Sequence, residues 1–506
     1  MRIPDLVSYH AQMRPNAGAL LAPQRSIAVS WRQLDRRSNR FAAWLMTQGV
    51  AKGDKIGLFL DNQWAVETVI AYLGVHKIGA VNVPINTRLR GHELSFIMAQ
   101  STCRRIITSR EGQRVLSDIG VDDGFEVHLV EEWDWNGEQD AVTIPWELRM
   151  GDEADFLFTS GTTGKPKATV HTHFGAMHLA ISAATAISLS DADIYQTAIP
   201  FYSSSGCHTY LLPALFAGVT MVIDPAFDVH DTIRTMRNLG TTVYFGVPAM
   251  LLLLLGSDEF RGDLLSRWRL CLYGGSIMPY DAINKIRRRF PGVGLINFYG
   301  LTEAGPGGTM LDDRYALEKI GAVGRPIPPF TEIRVVDSEE KDLPVGEVGE
   351  IYIHTPSAMV GYFHNPEETA KINRNGWIAT GDLGRLDEDG ILYIVDRKKD
   401  IVIRGGFNIY PSEIEQIIYE HPAVLEAAVV GVPHPILGQD THAFVVAKPN
   451  QDITREDLLE FLRDRIADFK IPRRVTFVSA LPRNAMGKVQ KQDLRALLER
   501  ERSEEA

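Results

Sequence analysis

Short apolar runs that alternate with helical stretches are the feature that most constrains this fold. In the first half they lie at residues 56–60 and 80–83, on either side of a helical stretch over 65–76. Later runs of the same kind occupy 219–223, 243–245, 270–273 and 295–299, with a helix over 279–290. Continuous apolar strands separated by helices are typical of parallel sheets covered on both faces. We therefore expect parallel α/β sheets here.

After about residue 322 the pattern changes to strands joined by Gly, Asp and Pro turns, which favours an antiparallel barrel or hairpin layer. A charge run over 396–400 then separates two apolar runs and is a candidate hinge. Beyond it, a capping box predicts a helix that begins at Ser412, and a second helix is expected over 455–466. With strands at 424–430, 443–446 and 474–478, this segment predicts a small α+β unit.

Composition excludes several classes of protein. The chain has 506 residues and a net charge of −11, from 53 Lys+Arg against 64 Asp+Glu, which argues against a nucleic-acid-binding surface. Three well-separated cysteines favour neither disulfides nor zinc and indicate a reducing compartment. Without an apolar run of spanning length, we expect no integral membrane segment and a cytoplasmic location.

The most informative segment is a loop rich in glycine and hydroxyl residues at 159–167, Thr-Ser-Gly-Thr-Thr-Gly-Lys-Pro-Lys, after the strand-like 156–158. Glycines let backbone N–H groups approach a phosphate, and the hydroxyls and lysines add donors and positive charge. Pro166 stands where a P-loop has the Ser or Thr that binds magnesium, so a P-loop kinase is excluded. A plain solvated turn is the alternative, which nine such residues disfavour.

Five motifs in one order carry a resemblance to a known family. After the loop come Tyr-Gly-Leu-Thr-Glu-Ala at 299–304, Thr-Gly-Asp-Leu at 380–383, Asp-Arg-Lys-Lys-Asp at 396–400 leading to Gly405 and Gly406, and Pro-Arg-Asn-Ala-Met-Gly-Lys at 482–488. Together they resemble the adenylate-forming superfamily of acyl-CoA synthetases, luciferases and peptide-synthetase adenylation domains, and most of all an acyl-CoA synthetase.

The resemblance implies a fold and a division into domains. A large N-terminal α/β domain would comprise residues 1–398, with two doubly wound βαβ sheets and a distorted antiparallel β-barrel. A small mobile α+β domain would comprise 399–506, with the hinge at Lys399 and the catalytic lysine near its end.

The resemblance also implies a nucleotide site. Tyr299 would stack on adenine and Asp382 would accept both ribose hydroxyls, although core packing and a turn contact are the ordinary alternatives. The residues implied to bind ATP are Thr159, Ser160, Gly161, Thr162, Thr163, Gly164, Lys165, Gly275, Ser276, Asn297, Tyr299, Gly300, Asp382 and Arg397.

The implied catalytic groups are Lys488, Thr302 and Glu303, with Glu303 holding Mg²⁺ beside the phosphates. A carboxylate is already ionised at neutral pH, so it attacks the α-phosphate of ATP without a general base. The enzyme has to stabilise charge on the phosphoryl oxygens, which Lys488 would do. A surface lysine and a solvated carboxylate are the alternatives for Lys488 and Glu303.

A second half-reaction would transfer the acyl group from AMP to coenzyme A after the small domain rotates about Lys399. By resemblance Gly405 and Gly406 line the pantetheine tunnel, where missing side chains let a slender arm pass. A hairpin turn is the alternative for the two glycines. Lys470 and Arg473 are candidates for the nucleotide part of coenzyme A, and solvated surface cations are their alternative.

The acid itself is constrained by residues 200–206. Peptide-synthetase domains carry an aspartate here for an amino group, whereas this chain has Tyr202 and no carboxylate over 200–212, which disfavours amino acids. Tyr202, Gly246, Gly275 and Leu301 would form the substrate pocket. We expect a medium-chain or longer fatty acid first and an aromatic or alicyclic acid second.

Rival functions are transfer of the acyl group to a carrier protein, a luciferase-type oxidase and a non-catalytic nucleotide-binding protein. The third is disfavoured because a binder has no use for Lys488, Glu303 and Asp382 together. A metal site at His171 and His173 is also disfavoured, since alternate residues of a helix diverge and Cys207 is not at ligand spacing. The partner expected is a small carboxylic acid, and a homodimer is compatible with the sequence.

Overall fold

The structure is a computed structural model that describes residues 1–120, 124–160, 166–276, 278–449, 451–483 and 489–504. The chain divides into two compact units, the first made of residues 1–333 and 352–379 and the second of 334–351 and 380–506. This division rests on packing, whereas the predicted boundary at Lys399 marks a place of rotation and stays a prediction.

The helices have the following bounds: α1 Ile3–Met13, α2 Trp31–Thr47, α3 Ala65–Lys77, α4 Gly91–Ser101, α5 Arg110–Asp118, α6 His173–Ala186, α7 Leu212–Ala217, α8 Val229–Leu239, α9 Pro248–Leu255, α10 Tyr280–Arg289, α11 Pro366–Ile372, α12 Pro411–Tyr419, α13 Arg455–Arg463 and α14 Lys491–Glu504. A π-helix, Ser205–Leu211, precedes α7. No helix in the described ranges combines the length and apolar character that a membrane crossing requires.

The strands have the following bounds: β1 Gly18–Ala22, β2 Ile27–Ser30, β3 Lys55–Phe59, β4 Val81–Pro84, β5 Arg105–Thr108, β6 Glu126–Leu129, β7 Glu153–Ser160, β8 Pro166–Thr172, β9 Ile194–Thr197, β10 Thr220–Ile223, β11 Val243–Gly246, β12 Leu270–Gly274, β13 Gly294–Gly300, β14 Gly308–Leu311, β15 Ala322–Pro326, β16 Glu332–Val336, β17 Gly349–His354, β18 Gly361–Tyr362, β19 Asn373–Arg374, β20 Trp377–Leu386, β21 Leu392–Arg397, β22 Val402–Arg404, β23 Phe407–Ile409, β24 Val424–His434, β25 Gly438–Ala447 and β26 Arg474–Phe477.

Two parallel layers dominate the first unit. One has the order β15-β14-β13-β12-β11-β9-β10-β1-β2, with parallel pairing from β13 to β1 and antiparallel strands at its ends. The other has the order β18-β8-β7-β4-β3-β5-β6, parallel from β7 to β6. Crossover helices cover these layers, and α3 is buried at every position, as expected of a helix packed on several sides. The predicted α/β sheets are confirmed.

The predicted barrel is wrong in one respect. Strands β16, β17, β20 and β21 are neighbours in that order, but within the described residues β16 has no second partner, so the layer is open. A barrel closes only when both edge strands pair. The antiparallel character is as predicted, since β20 and β21 run antiparallel with Asp382 opposite Arg397.

The second unit contains the predicted α+β fold, with the strand order β23-β22-β25-β24 and β26 paired to β25. Alternate residues of β25 pack into different cores: Ala443 and Val445 lie in one cluster, and Phe444 and Val446 lie in the other. This alternation is the two-residue period of a strand, and it leaves both faces of the sheet covered. Helix α12 begins at Pro411, so the predicted start at Ser412 is off by one residue.

Candidate functional site

The glycine-rich loop connects two paired strands of the first unit. Strands β7 and β8 run antiparallel with Ser160 opposite Pro166, which fixes both ends of the loop. Pro166 is the first residue of β8, a position where its missing N–H is tolerated. The predicted phosphate-binding residues Gly161, Thr162, Thr163, Gly164 and Lys165 lie outside the described residues.

Two hydroxyl groups hold the carboxylate of Glu303. Thr159 Oγ1 donates to Glu303 Oε1 over 3.1 Å, and Tyr362 Oη donates to the same oxygen over 2.8 Å. Burial and the neighbouring carboxylate raise the pKa of Tyr362, so its hydroxyl stays a neutral donor. Glu303 Oε2 is the oxygen that neither hydroxyl uses. A carboxylate beside hydroxyl oxygens is a donor set that suits Mg²⁺, so Glu303 fits the predicted metal role.

Thr302 lies beside Glu303 in a short 3₁₀ helix, Thr302–Ala304, at the end of β13. Its Oγ1 donates to Ser204 Oγ over 3.0 Å. Ser204 lies two residues after Tyr202, so the predicted pocket residues Tyr202 and Leu301 are near the same hydrogen bond. Neither Tyr362 nor Ser204 was a predicted site residue, although Ser204 lies within the 200–206 segment that was expected to constrain the acid.

Several of the predicted adenine and pocket residues lie at the ends of neighbouring strands. In adjacent parallel strands, Gly246 of β11 pairs with Tyr273 of β12, and Gly274 pairs with Phe298 of β13. Gly246, Gly275 and Tyr299 therefore lie at the carboxyl ends of three successive strands, where open α/β sheets bind ligands. Gly275 has a φ of +81° and Ser276 is exposed, whereas Asn297 is buried and its Nδ2 donates to the Ala322 carbonyl.

Close backbone packing requires glycine at positions 274 and 300. A Cβ on Gly274 would lie 2.4 Å from the Phe298 carbonyl oxygen, and one on Gly300 would lie 2.2 Å from the Pro306 carbonyl oxygen. Gly300 therefore lets the chain after Tyr299 turn back on itself. A Cβ on Gly275 would meet nothing within 4 Å, so its positive φ, and not crowding, favours glycine there.

Tyr202 is half-buried and lies against a cavity lined by apolar side chains, among them Leu60, Pro84 and Phe201. Burial raises the pKa of Tyr202, which keeps it uncharged. This cavity has room for no more than a water molecule, so it shows only that Tyr202 has largely apolar surroundings.

In the second unit, the predicted ribose residues are brought together. Arg397 Nε lies 2.8 Å from Asp382 Oδ1, on paired strands, and Asp382 is buried while Arg397 is half-exposed. The backbone N–H of Asp382 donates to Thr380 Oγ1 over 3.0 Å. A buried carboxylate held at a fixed place by arginine is suited to accept hydroxyl groups from a ligand.

The second unit also contains the predicted hinge and coenzyme A residues. Lys399 is exposed in a 3₁₀ helix, Lys398–Asp400. Gly405 and Gly406 have φ values of +58° and +88° between β22 and β23, so they form the two-residue hairpin turn weighed as an alternative. The cations are ion-paired, Lys470 with Glu413 at 2.6 Å and Arg473 with Asp468 at 3.3 Å.

Lys488 lies outside the described residues, as do its neighbours back to Asn484. The residues on either side are described: Arg483 and Val489 form an antiparallel bridge that brings the two ends of this loop together. Arg483 also pairs with Glu426 of β24.

The expectation that His171 and His173 share one helix is wrong. His171 lies near the end of β8 and His173 begins α6, and both are buried. Burial lowers the pKa of His171 to about 3 and that of His173 well below its usual value, so both are neutral. We still interpret both histidines as structural, now because they are buried and neutral and not because of helix geometry.

Comparisons with known proteins agree with this geometry. A family model described as "AMP-binding enzyme" matches residues 7–363, and one described as its C-terminal domain matches 413–488. A feruloyl-CoA synthase of Amycolatopsis sp. is 34% identical, over 96% of each chain. A long-chain-fatty-acid–CoA ligase, FadD13, of Mycobacterium tuberculosis is 34% identical, over 97% of each chain.

A solved structure is also similar. The O-succinylbenzoate coenzyme A synthetase (MenE) of Bacillus subtilis, in complex with ATP and a magnesium ion, is 29% identical, with a TM-score of 0.86 over 98% of this chain and 99% of that one. Each match covers almost the whole length of this chain and of the relative. The protein therefore belongs to the AMP-binding enzyme family, the adenylate-forming superfamily that its five motifs resemble.

Proposed function

We propose that this protein is an ATP-dependent carboxylic acid–CoA ligase that forms AMP. The observation that carries the proposal is the arrangement of Thr159, Glu303 and Tyr362, which ties the strand of the phosphate loop to the candidate Mg²⁺ carboxylate. The similar proteins named above support it, since all three are described as coenzyme A synthetases or ligases.

The first half-reaction is adenylation. A carboxylate oxygen of the acid attacks the α-phosphorus of ATP, the bond to the β-phosphate oxygen breaks, and pyrophosphate leaves. Lys488 and the hydroxyl of Thr302 stabilise the charge on the phosphoryl oxygens, while the loop over 159–165 binds the phosphates. Mg²⁺, held by Glu303, supplies further neutralisation of phosphate charge when bound.

The second half-reaction is thioester formation. The sulfur of coenzyme A attacks the acyl carbonyl of the adenylate, and AMP leaves with the electron pair of the broken C–O bond. We propose that rotation about Lys399 separates the two half-reactions, and that Gly405 and Gly406 lie along the path of the pantetheine arm. Lys470 and Arg473 would exchange their carboxylate partners for the phosphates of coenzyme A.

For the acid, we propose a medium-chain or longer fatty acid, with an aromatic acid as the second candidate. The uncharged Tyr202 and the apolar lining beside it support an apolar acyl group. The relatives act on acids of both kinds by name, a fatty acid in one and feruloyl or O-succinylbenzoate in others. A cytoplasmic location belongs to the same proposal, since the three cysteines are free thiols.

The experiment is AMP formation measured with a panel of acids from acetate to long-chain fatty acids and benzoates, with and without coenzyme A. We expect AMP only when ATP, an acid and coenzyme A are all present, with the highest kcat/KM for acids of eight or more carbons. Turnover with a holo-carrier protein, and none with coenzyme A, would identify the carrier protein as the acyl acceptor. Activity with acetate alone would refute an apolar acyl pocket.

A further inference from the structure

A buried carboxylate lies on the strand that leads into the phosphate loop. Asp155 of β7 is fully buried, and three side chains converge on it. Tyr72 Oη donates to Asp155 Oδ2 over 3.0 Å, His208 Nε2 lies 2.9 Å from the same oxygen, and His76 Nε2 lies 3.2 Å from Oδ1. We call Tyr72, His76, Asp155 and His208 the Asp155 cluster.

The Asp155 cluster is built around a buried carboxylate. Burial alone would raise the pKa of Asp155, but the charges and hydrogen bonds of His76 and His208 lower it well below its usual value. The carboxylate therefore remains ionised in the interior, where it requires charged or strongly polar partners. Charge-assisted hydrogen bonds are shorter and stronger than neutral ones, so this cluster fixes the elements that carry its members.

The first of these elements is strand β7. Asp155 and Thr159 are four residues apart on that strand, and residues an even number apart in a strand lie on the same face. Thr159 donates to Glu303 over 3.1 Å. The position of Asp155 along β7 therefore sets the position of the hydroxyl that holds Glu303.

The second element is the π-helix, Ser205–Leu211, which contains His208. Its first turn is fixed by hydrogen bonds from the N–H of Gly206 to Ser203 Oγ over 3.0 Å and from the N–H of Cys207 to the Ser203 carbonyl over 2.8 Å. Ser204, directly before the π-helix, accepts the hydrogen bond of Thr302. Segments of π-helix are rare and occur often at functional sites.

Strand β7 and the segment that begins the π-helix hold two consecutive residues, Glu303 and Thr302. From Asp155, one path runs along β7 and Thr159 to Glu303, and the other runs through His208 and Ser204 to Thr302. We propose that Asp155, His76 and His208 are positioning residues for adenylation. The hydrogen bonds of the two histidines to Asp155 fix β7 relative to the π-helix, and thereby hold Thr302 and Glu303 at the reacting phosphate. This inference rests on the proposed function and adds residues to it that do not touch the ligands.

The test is His208→Gln, which retains a side-chain N–H donor but loses the imidazole ring. We expect kcat for acid-dependent ATP–pyrophosphate exchange to fall by about tenfold or more, since misplacement of reacting groups by about 1 Å can cost a hundredfold. Thioester formation from added acyl-adenylate should stay within about twofold, because the phosphoryl chemistry is then already complete.

The matched control is His171→Gln. The His171 ring lies 5.1 Å from the His208 ring and is equally buried, but its Nε2 contacts Thr169 and not Asp155. This variant should keep exchange within about twofold of the wild type. Equal losses in the two variants, or an equal loss of both half-reactions in His208→Gln, would overturn the inference.

A second variant separates positioning from stability. Replacing the whole cluster, Tyr72→Phe, His76→Leu, Asp155→Leu and His208→Leu, removes every buried charge together and retains apolar packing. Low exchange in a variant that melts near the wild-type temperature supports positioning, whereas wild-type exchange overturns it. If the wild type lacks acid-dependent exchange altogether, the proposed function fails as well.

Metal analysis of the purified wild type supplies the last criterion. The ligand atoms of Asp155, Cys207 and His208 lie within 4.8 Å of one another. One equivalent of zinc, lost in Cys207→Ser, would make these residues metal ligands and overturn the positioning role. Metal content below a tenth of an equivalent supports it.

Discussion

Single side chains at the site owe their charge state to their surroundings. Glu303 faces the hydroxyls of Thr159 and Tyr362, and burial keeps Tyr362 protonated, so the carboxylate meets donors and no second anion. Asp382 is buried against Arg397, which balances its charge. Both carboxylates thus have donor side chains beside them, and each is in place to accept a cation or hydroxyl groups.

The strongest residue-scale prediction concerns Lys488. Lys488→Ala should lower ATP–pyrophosphate exchange by a hundred- to a thousandfold, since one preorganised donor contributes ~3–4 kcal/mol to such a transition state. Thioester formation from added acyl-adenylate should remain mostly intact, because the phosphoryl chemistry is already complete. Lys491→Ala, on α14 in the same unit, is the control; Lys491 is ion-paired with Glu415 at 2.7 Å. Equal loss of both half-reactions in Lys488→Ala would refute the assignment.

A second residue-scale prediction concerns pH. Burial raises the pKa of Asp224 from its ordinary 3.8 to about 7, although Gln196 Nε2 donates to its Oδ2 over 2.7 Å. Between these values the folded chain holds a proton that the unfolded chain has released, so stability falls as pH rises through this window. At pH 8 the full cost is on the order of 4 kcal/mol.

Asp224→Asn resembles the protonated acid at every pH. Relative to the wild type, its Tm should therefore be higher at pH 8 than at pH 5, by on the order of 5 °C. Thermal unfolding of both proteins at the two pH values measures this difference. Asp258→Asn, at an exposed carboxylate, should show none. A Tm difference for Asp224→Asn that is independent of pH would contradict the raised pKa.

Among the elements, strands were the most predictable part of the fold. The apolar runs at 219–223, 270–273 and 295–299 became β10, β12 and β13 within one or two residues, because buried parallel strands are continuously apolar. Boundaries set by local chemistry were less certain. At Ser412 the side chain bonds the Val395 carbonyl and its N–H donates to Asp396, while Pro411 takes the first helical position.

The site was predictable where a motif carries it and not where distant segments supply it. Thr302, Glu303 and Tyr299 follow from one short motif at the end of β13. Tyr362, by contrast, reaches the same place from a segment far along the chain, so no spacing reveals it. Ser204 lies in the 200–206 segment expected to constrain the acid, but nothing in the sequence links it to Thr302. Asp155 had a signal that was overlooked: a carboxylate inside an apolar strand requires a buried partner.

The element-scale prediction is for Lys399, in the 3₁₀ helix Lys398–Asp400. Proline fixes φ near −65°, which a 3₁₀ helix already uses, so Lys399→Pro should preserve this conformation and prevent rotation away from it. Adenylation should stay within about threefold while thioester formation falls at least tenfold. Lys399→Ala removes the same side chain without fixing φ and should retain both half-reactions. Unimpaired thioester turnover in Lys399→Pro would reject the hinge.

At the scale of the whole molecule, the chain shares its family and its fold with its relatives. The relatives share this architecture but differ by name in the acyl group, from feruloyl to long-chain fatty acids. The acyl pocket proposed above would draw on Tyr202, Gly246, Gly275 and Leu301, which lie on separate elements, so we expect a single substitution to change its depth without changing any of the motifs. The substrate is therefore best determined with the acid panel.

The burial of all three cysteines has a practical consequence. Burial raises the pKa of Cys103 to about 12 and that of Cys207 and Cys271 above the usual range, so none offers a thiolate at neutral pH. A chromogenic disulfide reagent should therefore titrate the cofactor thiol in a running assay with no background from the folded protein. In denaturant the same reagent should count three thiols per chain, which makes it a direct gauge of unfolding.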